Sequence, residues 1–287
     1  MADCTGVIAQ LFIYPIKSCA GIEVTQAQLT ATGLSMDREW MIVDQEGMFL
    51  TQRQIPHMVW ITPALSSTTL TLSAPGFDSV SIPLELPSAP KQVTVWRDTL
   101  LGDDQGDAVA QWLNAYLAVP GKHYRLIRFS KQARRLSALD WTKGVEASNK
   151  FSDGFAVQVV TQSALDELNS RLTSQGHEPV SMSRFRPNIV LKQLEAHTED
   201  HLGELMIQTN QGSAQLNLVK PCPRCAIPDI NPETAISSPE VNDTLRPYRT
   251  LARVDGAICF GMNGIVHAGI GQTLAVGQQA EGNYSFE

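Results

Sequence analysis

The chain has 287 residues, 43% of them apolar, and a formal charge of −7. That length and apolar content support a sizeable core and two domains, while the acidic balance argues against general nucleic-acid binding, which needs clustered positive charge. Five cysteines are an odd count, and with Cys4, Cys19 and Cys259 isolated, reduced thiols are expected rather than a secreted disulfide framework.

The opening MADCTGVIAQLFIYPIKSC has no basic segment ahead of its short apolar run, so it lacks the form of a signal peptide. No run of about 18 apolar residues follows anywhere, which argues against a membrane-spanning helix. A cytoplasmic protein without a membrane partner is expected. In YPIKSCAG, Lys17 and Ser18 sit in a turn closed by Gly21, an ammonium beside a hydroxyl that suits a phosphate oxygen. SMDREW places Arg38 next to Asp37, and a surface ion pair is the plain account of it.

MIVDQEGMFLTQR, Met41 to Arg53, has two apolar runs around a DQEG turn and predicts a hairpin. STTLTLSAPG, VSIPL and KQVTVWRDTLLG continue with strand-like alternation and turn residues between them. In GDAVAQWLNAYLAVPG, Val109, Trp112, Leu113, Tyr116 and Leu117 recur at helical spacing, and Pro120 and Gly121 close an amphipathic helix.

From Lys131 to Lys150 periodicity fades, which predicts a linker or long surface loop. The basic residues Arg125, Arg128, Lys131, Arg134 and Arg135 form a cluster that is either solvated surface or a docking face for an acidic partner. FAVQVVTQSALDELNSRLTSQG then gives a short apolar run and a second helix marked by Ala164, Leu165, Leu168 and Leu172. Thr161 or Ser163 is its expected cap and Gly176 its end. In SRFRPNIV, Arg186 and Asn188 lie two apart, so on an extended strand both face one way and suit an anionic, nitrogen-rich heterocycle.

Strand-like NIVLKQL, ELMIQTN, AQLNLVK and GAICFG complete a β-rich α+β pattern with a closed or nearly closed sheet. A Rossmann fold is excluded by the missing strand–helix alternation and Gly-rich turn. Between these strands lies PCPRC. Cys222 and Cys225 have no second ligand pair, which disfavours structural zinc. Pro228 and Pro232 disfavour the helix that a redox dithiol uses, since an interior proline costs about 3 kcal/mol. The motif belongs on a loop at a strand end. Two readings stay open: one thiolate binding a soft metal with Arg224 supplying charge, or two inert cysteines.

Taken in order, YPIKSCAG, GLSMDREWMIVDQEGMFLTQR, FSDGFAVQVVTQSALDELNSRL, FRPNIVL and CPRC resemble the MOSC family with its N-terminal β-barrel-like domain, and within it the amidoxime-reducing components and their bacterial relatives. The resemblance runs from about Val7 to Gly277. It implies a β-rich domain over residues 1–130, a MOSC β-barrel over 131–287, and a molybdenum cofactor whose pterin carries the metal. Cys225 becomes the metal ligand. Lys17, Ser18, Arg38, Arg186, Asn188 and Arg224 become cofactor contacts, and Asp153 holds the pterin or moves a proton. FSDGF departs from the family, which often has small hydroxyl residues where Gly154 and Phe155 stand. The implied activity is reduction of small N-hydroxylated substrates with electrons from a separate flavin, haem or iron–sulfur protein. The rival is a sulfur carrier or cofactor-transfer protein using the same cysteine.

Overall fold

A computed structural model describes residues 2–86, 88 and 90–285. Seven strands close into a barrel in the order Val157–Thr161, Ile189–Lys192, Cys4–Ile13, Gln279–Tyr284, Leu202–Thr209, Gly212–Pro223 and Ala257–Ala268, the last pairing back onto the first. The seam between Val157–Thr161 and Ile189–Lys192 is parallel, and the other six are antiparallel. A parallel pair needs a crossover, and helix α2 (Gln162–Ser174) is that crossover.

The two-residue period of the strands sorts their side chains. Val157, Val159, Ile189, Leu191, Leu205, Ile207 and Leu216 fill the barrel. Val160 and Val190 point outward and are covered by Ala164, Leu165, Leu168 and Leu172 of α2. Each such aliphatic side chain, fully buried, contributes about 1.5–3 kcal/mol.

Among the described residues, two further sheets lie wholly in the N-terminal part, and a third joins Gln26–Thr30 and Gly33–Leu34 to Thr273–Ala275. Thr62–Leu65, Thr69–Ala74 and Phe77–Pro83 enclose a second core with α1 (Asp107–Leu117), whose Val109, Leu113 and Leu117 are the buried stripe expected from the sequence. Trp40–Val43, Arg125–Phe129, Asp98–Asp104 and Pro90–Val95 make a four-stranded sheet. The expected division at residue 130 is crossed by the strand Cys4–Ile13, which is a barrel stave.

Several local expectations need correction. The hairpin over 41–53 has one full strand, Trp40–Val43, bridged once between Val43 and Phe49, because Gly47 to Phe49 turn to pair with Thr94; the Asp44 carboxylate takes the Glu46 and Met48 N–H groups within the turn. The basic cluster is not a free cationic face. Arg125 pairs with Asp104 and Asp107, Arg128 with Glu39, Arg134 with Glu146 and Arg135 with Asp98. A third helix, α3 (Glu240–Arg249), was not expected; it carries Pro247 inside it. Pro247 falls in its last turn, and Val241 and Leu245 pack the helix against α2 and the barrel.

Thr161 stands at the start of α2 without capping it. Its N–H (3.2 Å) and hydroxyl (2.8 Å) go instead to the carboxylate of Glu199, which is fully buried. Burial, reinforced by the neighbouring Asp200 charge, pushes Glu199 up to about 7. Nearby His197 is pulled down to about 4 by burial and by Arg249. Between the ordinary carboxyl value and about 7 the native chain keeps a Glu199 proton that the unfolded chain has released, so this group's contribution to stability falls as pH rises through that window. His197 acts with the opposite sign, losing stability as pH falls from its ordinary value towards about 4. Glu199→Gln mimics the protonated acid, so its melting temperature relative to the parent chain should be more favourable at about pH 8 than at about pH 5. An equal difference at both pH values would reject this account.

Candidate functional site

One cleft opens between the mouth of the barrel and the N-terminal sheets. The N-terminal wall carries Lys17, Ser18 and Arg38; the barrel side carries Arg186, Asn188, Arg224 and Cys225, with Asp153 between them. All eight residues singled out in the sequence therefore line one surface. Chain geometry explains part of this. The stave Cys4–Ile13 hands the chain directly to Lys17 and Ser18, and the parallel pair of staves brings Asn188 beside Gln158.

Lys17 is buried, and its Nζ donates to Phe151 O (2.9 Å) and to Asp153 Oδ1 (2.5 Å). Burial lowers its pKa despite Asp153. Asp153 keeps a side chain 70% exposed to the cleft. The surrounding protein would raise its pKa, but the charge and hydrogen bond of Lys17, with help from Trp96 Nε1 (3.1 Å), hold the carboxyl well below the usual range. The loop bearing Asp153 is pinned by Arg135, which is buried and donates to Asn149 Oδ1 (2.7 Å), Lys150 O (2.8 Å) and Ser152 O (2.6 Å). The stretch expected as a solvated linker thus contains the anchor of the site loop.

Arg38 is not a surface residue. Its Nη1 donates to both oxygens of buried Asp37 (2.8 and 2.7 Å) and to Asn188 Oδ1 (3.0 Å), and its Nη2 to Arg186 O (2.9 Å). Asn188 is committed in turn: Oδ1 also accepts from Gln158 N (3.1 Å), and Nδ2 donates to Phe12 O (3.2 Å). These two side chains tie the barrel to the N-terminal wall. Arg186 spends Nη1 on Cys19 O (2.7 Å), and its guanidinium lies 4.2 Å from the centre of the Tyr14 ring, with that of Arg38 at 4.4 Å. Ser18 is held through its carbonyl by Gln52 Nε2 (2.8 Å).

PCPRC straddles the strand end instead of lying wholly on a loop: Pro221, Cys222 and Pro223 are the last residues of the strand Gly212–Pro223, and Arg224 and Cys225 follow it, ahead of a 3-10 turn, Ile227–Asp229. The hydrogen bonds of Arg224 go elsewhere than to Cys225. Its Nη1 contacts Cys222 Sγ (3.0 Å) and its Nη2 donates to Phe185 O (2.9 Å). Burial raises the Cys222 pKa, and Arg224 only partly offsets this. Cys225 lies just past the strand, its carbonyl held by Asn242 Nδ2 (3.0 Å) of α3. The unexpected helix therefore braces the loop that carries the candidate ligand.

Among the cleft residues, Ser18 (φ 63°), Arg38 (φ 45°), Trp96 (φ 55°) and Arg186 (φ 55°) have left-handed backbone. Such conformations cost non-glycine residues about 1–3 kcal/mol each and collect at functional sites. Charge is equally uneven. Lys17, Arg38, Arg53, Arg186, Lys220 and Arg224 line the cleft against one carboxylate, Asp153. Among the described residues, buried Arg224 Nε has no hydrogen-bond partner. A thiol beside surplus half-buried guanidinium groups fits an anionic group carrying a soft metal. Arg53, Trp96 and Lys220 were missed in the sequence. TQR, VWRD and LVKP look like ordinary strand ends, and nothing in their spacing marks a shared site.

Two family models match the chain: the MOSC N-terminal beta barrel domain over residues 5–120 and the MOSC domain over residues 146–281. Mitochondrial amidoxime reducing component 2 of Rattus norvegicus is 34% identical over 259 residues, covering 85% of this chain and 72% of that protein. Mitochondrial amidoxime-reducing component 1 of Homo sapiens is 35% identical over 256 residues, with the same two shares of 85% and 72%. Molybdenum cofactor sulfurase of Bos taurus is 30% identical over 262 residues, 85% of this chain but 29% of that protein.

Proposed function

The chain belongs to the MOSC family, matching both its N-terminal β-barrel domain and its MOSC domain, and on that premise we propose that it is a molybdenum-cofactor-dependent oxidoreductase reducing N-hydroxylated compounds such as amidoximes, hydroxylamines and N-hydroxylated bases. What carries the proposal is the gathering of Cys225 with cations from both halves of the chain in one cleft, Lys17 buried and Arg38, Arg186 and Arg224 half-buried. When bound, the cofactor supplies the two-electron chemistry that cleaves the N–O bond and releases the oxygen as water. Cys225 gives the metal its protein thiolate. Arg186, Ser18 and Arg224 face the anionic pterin, and Arg38 and Asn188 act on it mainly by fixing the wall behind them. Asp153, held ionised by Lys17, is a poor general acid near neutral pH and serves chiefly to position Lys17 and the loop. Electrons come from a separate redox protein of flavin, haem or iron–sulfur type.

Purified from a molybdenum-replete host, the chain should hold close to one molybdenum and one pterin per molecule and reduce benzamidoxime with a chemical donor. Elemental analysis, pterin fluorescence and product formation measure this. Persistent absence of molybdenum rejects the proposal. Bound cofactor without turnover favours instead a sulfur carrier or cofactor-transfer protein, a direction in which the 30% identical Bos taurus sulfurase points.

A further inference from the structure

The strands Pro90–Val95 and Asp98–Asp104 are joined by a two-residue turn, Trp96 and Arg97, with Val95 opposite Asp98. At Trp96 the backbone is left-handed, φ 55°. Tight hairpin turns of this kind favour Asn or Gly, and a bulky ring in that conformation is an outlier. The indole is nonetheless fixed. Its Nε1 donates to Asp153 (3.1 Å), its ring meets Phe49 at 5.0 Å and 53°, and the Arg53 guanidinium lies 4.9 Å from its centre. It stays 43% exposed, and it lines the cleft together with Arg53.

Core packing does not account for a strained, immobilised ring that is nearly half exposed at a cleft. Strain retained at such a place points to a ligand. We propose that Arg53 and Trp96 form a stacking platform for the substrate, and that it selects flat, conjugated N-hydroxylated compounds over saturated ones. This deepens the reductase proposal and rests on it. Guanidinium planes and indole rings both stack on delocalised π-systems. A puckered aliphatic ring of similar size offers them only contact area. The Asp153 bond fixes the indole in place while the Lys17 pair keeps that carboxylate ionised and accepting.

The test compares benzamidoxime with cyclohexanecarboxamidoxime, which carry the same N–OH group on a flat and a puckered ring. Binding is measured by calorimetry on the oxidised, cofactor-loaded chain without reductant, and KM with a chemical donor. The parent chain should prefer benzamidoxime by about tenfold, the worth of one stacked ring. Trp96→Asn, which suits the turn, should weaken benzamidoxime by about tenfold and the saturated analogue by about twofold or less. Trp96→Phe should retain most of the preference although it loses the bond to Asp153. Arg53→Ala, at an exposed position, should reduce the preference in the same direction. If the parent chain binds both compounds equally, or if Trp96→Asn and Trp96→Phe weaken both alike, the platform is overturned and the indole is only a clamp on Asp153. Selective binding without turnover would reject the reductase proposal and leave the platform standing.

Discussion

Cys225→Ser is expected to lower both molybdenum content and benzamidoxime reduction by more than about 100-fold, beyond the range seen when residues outside the ligand set are changed. Serine offers a hard oxygen that stays protonated near neutral pH, where the site calls for a soft thiolate. Cys222→Ser should cost about tenfold or less, the lower end of that outer range. The two cysteines differ in the structure. Both line the cleft, but Cys222 is raised in pKa by burial and has its sulfur engaged by Arg224 Nη1, whereas Cys225 lies beyond the strand end and is braced through its carbonyl by Asn242. Metal analysis and turnover on the two purified variants decide the assignment, and the reverse ranking refutes it.

The second large effect falls on stability. Arg38→Ala removes the Nη1 group that reaches both oxygens of Asp37, whose side chain is almost wholly buried. Breaking a buried ion pair from one side costs about 3–5 kcal/mol. Asn188 Oδ1 and Arg186 O lose a donor in the same step, so the wall of the cleft should loosen along with the fold. Arg38→Lys should recover only part of the loss, because an ammonium cannot span both carboxylate oxygens and two further acceptors with the geometry of a planar fork. Denaturant unfolding reads the stability, and cofactor retention reads the wall. A loss below about 1 kcal/mol for Arg38→Ala would return this residue to the surface pair read from the sequence.

Periodicity made part of the pattern legible: the stripe of α1, the apolar face of α2 and the staves Ile189–Lys192, Leu202–Thr209, Gly212–Pro223 and Ala257–Ala268 followed from spacing, whereas Cys4–Ile13 and Gln279–Tyr284 were not read as strands. Pro228 and Pro232 ruled out a long helix after PCPRC, and only a 3-10 turn follows it. The family likeness brought together residues as far apart as Lys17 and Cys225. What stayed hidden is long-range pairing. Nothing near Arg135 in the sequence says that its guanidinium will bind the carbonyls of the Asp153 loop, and nothing near Arg224 says that it will turn back to Cys222 instead of serving Cys225. Thr161 has the composition of a helix cap, yet a buried Glu199 takes its hydroxyl. In α3, Pro247 obscured acidic residues in the first turn, basic residues in the last, and Val241 and Leu245 at helical spacing. Position within the helix mattered more than the presence of the proline.

The stave Cys4–Ile13 precedes the other staves in the chain, yet its barrel neighbours are Ile189–Lys192 and Gln279–Tyr284. As the chain is made, Cys4 to Val7 lack one neighbour until Gln279–Tyr284 emerges, so the ring cannot close before that stave is made. Distant pairings of this kind slow folding and leave strand edges open to association with other chains. Because Lys17 and Ser18 follow that stave directly, the cofactor cleft gains its N-terminal wall only when the ring shuts. Cofactor loading is thereby coupled to ring closure, and a nascent chain still lacking Gln279–Tyr284 has no complete cleft to fill.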